Sequence, residues 1–285
     1  MKYIKSISII ICFISYYSCT KEISVDVAHE KQTIIFGGIK NGTNSIIINI
    51  QQSVPLNSTT SFETVNDASV SVFTRNTSGT SSLVTDNFIA NQGRYTSLEA
   101  ITTTIGNKYW IEVTLLDGTI FKSEEETLKA IVPIEAIEIS NEDIVSISFS
   151  DPSNDRNFYT FGIDLFLNGQ LVSSTTSESN DVVFDGNDNA SVEIDLFRFN
   201  DDDDDEVTIT YDVLRARLQN INFSSYQFYL NQSAQIEAND SESSGDPSQL
   251  FATPPVNLLG NITNTTTNKI ALGNFTVNSE SIINQ

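Results

Sequence analysis

The sequence predicts a mostly β protein built as two antiparallel sandwiches, the second carrying one amphipathic helix. Three observations point there. Short segments alternate apolar and polar residues, Gly/Asn/Ser/Thr turns separate them at regular intervals, and one stretch near the C-terminus switches to helical spacing. At 285 residues and 39% apolar composition, the chain is long enough to bury two ordinary cores.

Residues 1–18 read as an export signal. Lys2 and Lys5 form a basic start and the run from Ile7 to Ile14 is apolar. Only 13 residues separate Ser6 from Ser18, both included, whereas a helix needs roughly 20 to cross a bilayer core. Tyr16-Tyr17-Ser18-Cys19 resembles a lipobox, in which a bacterial lipoprotein signal is cut just before a cysteine that carries the lipid. Cys12 is the poorer acceptor, because bulky Ile11 precedes it inside the apolar run. Cleavage before Cys19 leaves one thiol, which is acylated, so no disulfide is expected. A plain secretory signal is the alternative.

Residues 19–31 are polar and of mixed charge, and read as a tether. The first sandwich, residues 32–131, takes its strands from the period-two segments Thr33–Ile39, Ser45–Ile50, Ala68–Thr74, Ser82–Ile89, Tyr109–Leu115 and Thr119–Lys122. Turn chemistry such as Asn41-Gly42 and Asp117-Gly118 divides them. The acidic stretch Glu124–Glu126 and Val132-Pro133 mark the boundary. The second unit, residues 132–285, continues with Glu135–Ser140, Ile144–Ser150, Tyr159–Leu167, Leu171–Ser174, Ser191–Phe197 and Val207–Leu218, and ends on Ala271–Val277. Between them, Tyr226, Tyr229, Leu230 and Ser233 recur at helical spacing after the capping candidates Ser224 and Ser225. A helix is therefore expected over 224–238, packed on the second sheet.

Composition removes several functions. The formal net charge of −22 lacks the basic face that a phosphate backbone requires, so nucleic-acid binding is excluded. His29 is the sole histidine, which leaves histidine-dependent triads and polyhistidine zinc sites without parts. The charge is also uneven. Residues 141–285 hold 23 acidic and 5 basic side chains, against 14 and 8 in residues 19–140, so the second unit owns the field that repels anions.

Asp67-Ala68-Ser69-Val70-Ser71-Val72, then Gln92-Gly93-Arg94-Tyr95, then Gly106-Asn107-Lys108-Tyr109-Trp110-Ile111 is similar to the prealbumin-like, Ig-like modules of surface proteins. Downstream, Asp151-Pro152 leading to Asn157-Phe158-Tyr159 resembles a D-P-x-x-x-x-N-Y-Y element. Phe251 to Pro255, Gly260-Asn261-Ile262 and Ala271 to Phe275 resemble an F-x-x-P-P, N-I, G-x-F ending. With the lipobox, these elements in this order resemble a family of Bacteroidota outer-membrane lipoproteins, the domain-of-unknown-function family DUF4249. The resemblance implies a prealbumin-like first sandwich and an accessory role beside a TonB-dependent outer-membrane transporter. It carries over no catalytic residues.

Asp201, Asp203 and Asp205, in the run Asp201–Glu206, are weak candidates for a Ca²⁺ site, which prefers several carboxylate oxygens. The run lacks the alternating ligand spacing and fixed glycine of an EF-hand, and a solvated hairpin tip is the favoured reading. Asp185-Gly186-Asn187-Asp188-Asn189 reads as a turn, because Leu196 stands where such a loop needs its bidentate glutamate. Alternation places Trp110 on the face opposite Tyr109, Ile111 and Val113, which makes it the candidate partner or ligand contact. The favoured reading is an indole half-covered by a neighbouring loop. Carboxylate pairs are too abundant for any one to indicate glycoside hydrolysis. The resulting expectation is a non-enzymatic lipoprotein without cofactor or metal, anchored through Cys19 in the outer membrane and facing outward. Its partner is a TonB-dependent barrel, and its small-molecule or glycan ligand is unnamed. A structural or adhesive surface protein is the alternative.

Overall fold

In the computed structural model, which describes residues 29–285 other than 43–44, 56, 141–143, 154, 197, 200–205, 208 and 244–257, the alternating segments become pleated strands. The first ten are β1 (Thr33–Lys40), β2 (Ile47–Gln52), β3 (Glu63–Thr64), β4 (Ser69–Arg75), β5 (Ser81–Thr85), β6 (Phe88–Asn91), β7 (Arg94–Ser97), β8 (Lys108–Thr114), β9 (Ile120–Ser123) and β10 (Glu126–Thr127). There follow β11 (Ile134–Ser140), β12 (Ile144–Phe149), β13 (Phe158–Leu167), β14 (Gln170–Asn180), β15 (Ala190–Asp195), β16 (Arg198–Phe199), β17 (Glu206–Val207) and β18 (Val213–Ile221). Helix α1 (Phe223–Ser243) precedes β19 (Leu259–Asn264), β20 (Ile270–Leu272) and β21 (Phe275–Asn284).

Two cores form. In the first, inward residues of β1, β2, β4 and β8, among them Ile35, Ile48, Val72 and Ile111, close over one another with Phe121, Phe275 and Val277. In the second, a separate three-stranded sheet ordered β11-β12-β15 packs its Val145, Ile147 and Phe149 onto Tyr159, Phe161 and Ile163 of β13 and Leu214 and Leu218 of β18. Both are β-sandwich cores, and period-two burial along β12 and β18 is the direct result of facing one sheet with only one side.

The two cores share a backbone. A single sheet runs β14-β13-β18-β21-β1-β20-β19-β9-β8-β4-β5, and β21 is its pivot. Phe275 to Asn278 pair in parallel with Gly37 to Lys40 of β1. The remainder, Ser279 to Asn284, pairs antiparallel with Asn220 to Arg215 of β18. One continuous strand therefore satisfies its ladder first in one unit and then in the other. The step from β20 to β21 is made at Gly273, where φ is +101° and an added Cβ would lie 2.1 Å from the Ile35 carbonyl oxygen, so only glycine fits.

This corrects the expected division at residue 131/132. β19, β20 and the first half of β21 lie beyond that boundary in sequence, yet Ile262, Ala271, Phe275 and Val277 are buried in the first core. Alternation reports that a segment is a strand but not which sheet it joins, and the parallel pairing with β1 spans nearly the whole chain. The segment Ser82–Ile89, expected as one strand, is interrupted at Asp86-Asn87, where the Asn87 N–H donates to Thr85 Oγ1 at 3.2 Å. The expected final strand divides at Gly273 for the reason just given.

Helix α1 includes the expected span and keeps part of the expected stripe, with Tyr226 and Tyr229 turned toward the sheets. Ser225 and Phe228 face inward, while Leu230 is exposed. The helix does not rest on the second sheet alone. Tyr226 stacks near Phe158 of β13 at 5.0 Å between ring centroids, and Phe228 meets Phe36 of β1 edge-on at 5.9 Å. It bridges both parts of the long sheet. Trp110 is the sole tryptophan and sits on the first sheet, so its fluorescence reports that unit. We expect Leu218→Ala, a truncation in the second core that costs about 2–5 kcal/mol, to lower the urea midpoint of Trp110 fluorescence and of far-ultraviolet circular dichroism together. A Trp110 transition left unmoved while the dichroism shifts would show that β21 does not couple the cores.

Candidate functional site

The register of the central strands decides what faces outward. Ile35, Ile39 and Val277 point into the first core, so Phe36, Gly38 and Lys40 of β1 and Thr276 and Asn278 of β21 point the other way. Asn49 of β2 stands opposite Phe36, and Ile47 opposite Gly38, extending the same face. Gly38 leaves this face low, since a Cβ there would approach the Thr276 carbonyl oxygen to 2.8 Å. Phe228, Tyr229 and Gln232 of α1 form the far wall, and together these elements enclose a groove of about 520 Å³.

Behind the groove, polar side chains fix the helix to the sheet. Asn274 Nδ2 donates to Ser225 Oγ at 3.0 Å and to Thr276 Oγ1 at 3.1 Å, and the Tyr229 hydroxyl lies 3.0 Å from the same Thr276 oxygen. Burial pushes the Tyr229 phenol above its usual range, partly offset by the Thr276 hydrogen bond. Asn261 clamps the backbone of Phe275, accepting from its N–H at 2.9 Å and donating to its carbonyl at 2.8 Å. At the start of α1, Asn222 Nδ2 donates to the Thr127 and Val277 carbonyls, both at 3.0 Å. Ser224 donates to Glu126, which also accepts from Asn261 at 3.0 Å. Burial holds the Glu126 carboxyl above the usual glutamate range. Hydrogen bonds from Ser224 and Asn261 and the charge of Lys129 act in the opposite direction, and Glu124 reinforces the rise.

A second cluster lies in the second unit. Carboxylate oxygens of Asp151, Asp181 and Asp185 come within 4.8 Å of one another, the first two buried and the third exposed. Asp151 accepts from the Tyr159 hydroxyl at 2.5 Å and from the Gly186 N–H at 2.9 Å, and Asp181 accepts from the Asn157 N–H at 2.5 Å. Asn157 in turn donates to the Pro152 and Asp155 carbonyls at 3.2 and 2.9 Å. Burial and then the Asp151 carboxylate push the Tyr159 phenol strongly upward, which keeps it a donor. Three carboxylates at this spacing offer oxygens of the kind that hold a hard cation. The hydrogen bonds account for the two buried ones as a lock between the Asp151–Phe158 loop and the turn at Asp181, which is the role of Asp151, Asn157 and Tyr159 in the D-P-x-x-x-x-N-Y-Y element.

The residues singled out from sequence fare differently. Cys19, Asp201, Asp203 and Asp205 lie outside the described residues. Trp110 does lie on the outer face of its strand, but it is only 4% exposed, which agrees with the covered reading and removes the indole as an accessible contact. Phe73, directly opposite on β4, stacks on it at 5.4 Å and 13°, while Arg75 and Lys122 lie 5.8 and 5.3 Å from its ring. Long cross-strand neighbours cover it, and alternation alone gives the face without the cover. Sequence reasoning missed the groove because it needs β21 and α1 brought beside the antiparallel β1-β2 pair, and the parallel pairing of β21 with β1 spans nearly the whole chain. The unpatterned signal was the set of amides, Asn49, Gln232 and Asn278, on otherwise well-packed elements.

Buried Glu126 gives a pH dependence with a definite sign. Its folded pKa is raised, so the folded protein binds this proton more tightly than the unfolded chain, and stability falls as pH rises from the usual glutamate value through the raised one. We expect Glu126→Gln to remove that decline, gaining on the wild type progressively from pH 4.5 upward in denaturant titrations. Parallel pH profiles for the two proteins would refute the assignment.

The model of one family, described as a domain of unknown function (DUF4249), matches residues 20–282, and the chain belongs to that family. No curated protein matches it. Among solved structures, it is similar to a two fibronectin type-III domain segment from chicken tenascin, at 10% identity over 67% of this chain and 90% of that one, TM-score 0.18. Trypsin-activated α-2-macroglobulin from Escherichia coli matches at 12% identity over 67% of this chain and 14% of that chain, TM-score 0.18. CBD12 from CALX1.2 matches at 9% identity over 88% of this chain and all of that one, TM-score 0.21. At such scores these likenesses carry no argument, and the fold rests on its own strand pairings.

Proposed function

We propose that this DUF4249 member is a non-enzymatic, lipid-anchored protein of the outer membrane, facing outward as a binding accessory of a TonB-dependent barrel transporter. The observation that carries the reading is the order of parts at the N-terminus. A basic and apolar start ends in Ser18-Cys19, a polar stretch continues to Lys31, and β1 begins at Thr33. A lipid on Cys19 then anchors the folded body through residues 19–31. The last of these rest on that body, His29 Nε2 lying 3.1 Å from the Ser53 carbonyl oxygen and Lys31 pairing with Glu63 at 2.6 Å. The reach from Cys19 to His29 is therefore at most roughly 35 Å.

Binding rather than turnover is supported by how the buried acids are used. Asp164 is held by Arg217 at 2.9 Å and accepts from Ser174 at 2.8 Å, Asp151 serves Tyr159, and Glu126 serves Ser224 and Asn261. The acid excess of residues 141–285 turns that unit away from an anionic membrane surface and leaves the less acidic first unit nearer the barrel. A shared two-dimensional anchor raises effective concentration, so a modest interface suffices.

Metabolic labelling with a clickable palmitate analogue is expected to mark the wild type at Cys19 and to leave Cys19→Ala unlabelled. Photo-crosslinkers at Ile89 and Leu98, exposed side chains of the first unit, should capture a TonB-dependent barrel identified by mass spectrometry. Unlabelled wild type would end the anchor reading. Recovery of only the free monomer would end the transporter reading and favour an adhesive role.

A further inference from the structure

We propose that the groove between α1 and the β2-β1-β21 face is a binding site for a neutral carbohydrate. Its polar lining is made of amides and hydroxyls, with Lys40 its one charged member. Asn49, Gln232 and Asn278 line it, and among the described residues none of the three has a side-chain hydrogen-bond partner. Asn278 is the telling one, because at 8% exposure an amide is seldom left unsatisfied. Its opening toward the groove gives it only what the groove contains.

Each amide offers a carbonyl acceptor and an N–H donor side by side, and a sugar hydroxyl both donates and accepts. Adjacent hydroxyls on a pyranose ring therefore match an amide edge. Phe36 adds the apolar complement. It is partly exposed on the same face, its ring held edge-on against buried Phe228, and it offers a surface for the C–H face of a sugar ring. A volume of about 520 Å³ is within the range of small-ligand sites.

Other ligand classes fit less well. Lys40 is paired to Glu280 at 2.7 Å, and the Glu280 side chain is only 7% exposed, so the groove presents no free cation to an anionic ligand while the whole chain repels one. An extended peptide docks by adding to an open strand edge, but here β1 is paired by β2 on one side and by β20 and β21 on the other, and β21 lies between β1 and β18. An apolar lipid would bury the three amides without partners, at a desolvation cost for each. A neutral polyhydroxyl ligand satisfies the amides, stacks on Phe36 and leaves the ion pair intact.

The test uses the mature protein in lauryldimethylamine oxide, a detergent without a sugar headgroup. Its probes are maltohexaose, cellohexaose, mannohexaose, xylohexaose, laminarihexaose and chitohexaose, with hexagalacturonate as the anionic control. Saturation-transfer NMR followed by calorimetry should find at least one neutral oligomer bound and the control not bound. Phe36→Ala should weaken binding by about tenfold, and Asn49→Ala and Gln232→Ala by about threefold each. Phe36 contacts Phe228, so the two amide variants, whose melting temperatures should match the wild type, keep the result readable if Phe36→Ala destabilises the fold. Failure of all neutral oligomers at millimolar concentration, equal binding of hexagalacturonate, or affinity unchanged in both amide variants would overturn the proposal. The outcome is independent of acylation and of the barrel partner, since it is read on isolated protein.

Discussion

The pairing of β21 with two different strands is the constraint on which the rest of the molecule depends. Phe275 to Asn278 complete the first sheet beside β1, and Ser279 to Asn284 complete the second beside β18. A strand's hydrogen-bonding groups cannot be left unpaired in a buried setting without a free-energy cost, so the two units cannot separate without exposing one half of that ladder. Side chains reinforce the join. Ser281 Oγ accepts from the Ile134 N–H at 3.0 Å and Ser279 donates to the Ala130 carbonyl at 2.8 Å, tying the connection between the cores to the same strand. Asn220 Nδ2 reaches the Ala130 carbonyl as well, at 3.2 Å.

Around this join the chain concentrates its buried polar groups. Glu126, Asn222, Ser224, Ser225, Asn261 and Asn274 form a connected set between the start of α1 and the strands beneath it. Such a set is worth little if incomplete, because each unsatisfied member costs desolvation, and Glu126 Oε2 is a buried oxygen without a partner among the described residues. Burial accordingly raises the pKa of that carboxyl above the usual glutamate range. Buried polar groups of this kind position one element against another with a definite register, which apolar packing alone leaves loose. Here they set the height and rotation of α1 above the sheet, and so the width of the groove.

What the sequence made legible followed the range of the interaction. Local alternation in Ile144–Ser150 and Tyr109–Leu115 yields strands and their inward faces, because a period of two is a property of neighbouring residues. It also places Trp110 on the outer face correctly. Which residues cover Trp110 was not legible, since Phe73, Arg75 and Lys122 come from two other strands. The helix was legible from its spacing, and its stripe only in part, since Tyr226 and Tyr229 pack inward but Leu230 is exposed. A helix that touches two surfaces buries two partial faces, Tyr226 toward Phe158 and Phe228 toward Phe36, and neither is a full amphipathic stripe. The loop lock at Asp151, Asn157 and Tyr159 was visible as a pattern and acquired a mechanism only when Asp181 and Gly186 came beside it.

The groove shows why the least legible part of the chain carries its most specific chemistry. Its floor is β1 and β21, held in parallel register over four residue pairs, and its wall is a helix pinned by Asn222, Ser225 and Tyr229. Asn49 and Asn278 thus sit on backbone that regular ladders fix, not on mobile loops, and Gln232 sits on a helix that cannot rotate without breaking the Asn274 and Thr276 contacts. A site assembled this way needs little ordering when it is filled, so weak individual hydrogen bonds to a neutral ligand can add up to useful affinity. Any ligand that fills it touches β1 of the first core, β21 of both and the helix that spans them. Occupancy therefore stabilises the join itself, since a ligand that binds only the assembled form favours that form by mass action.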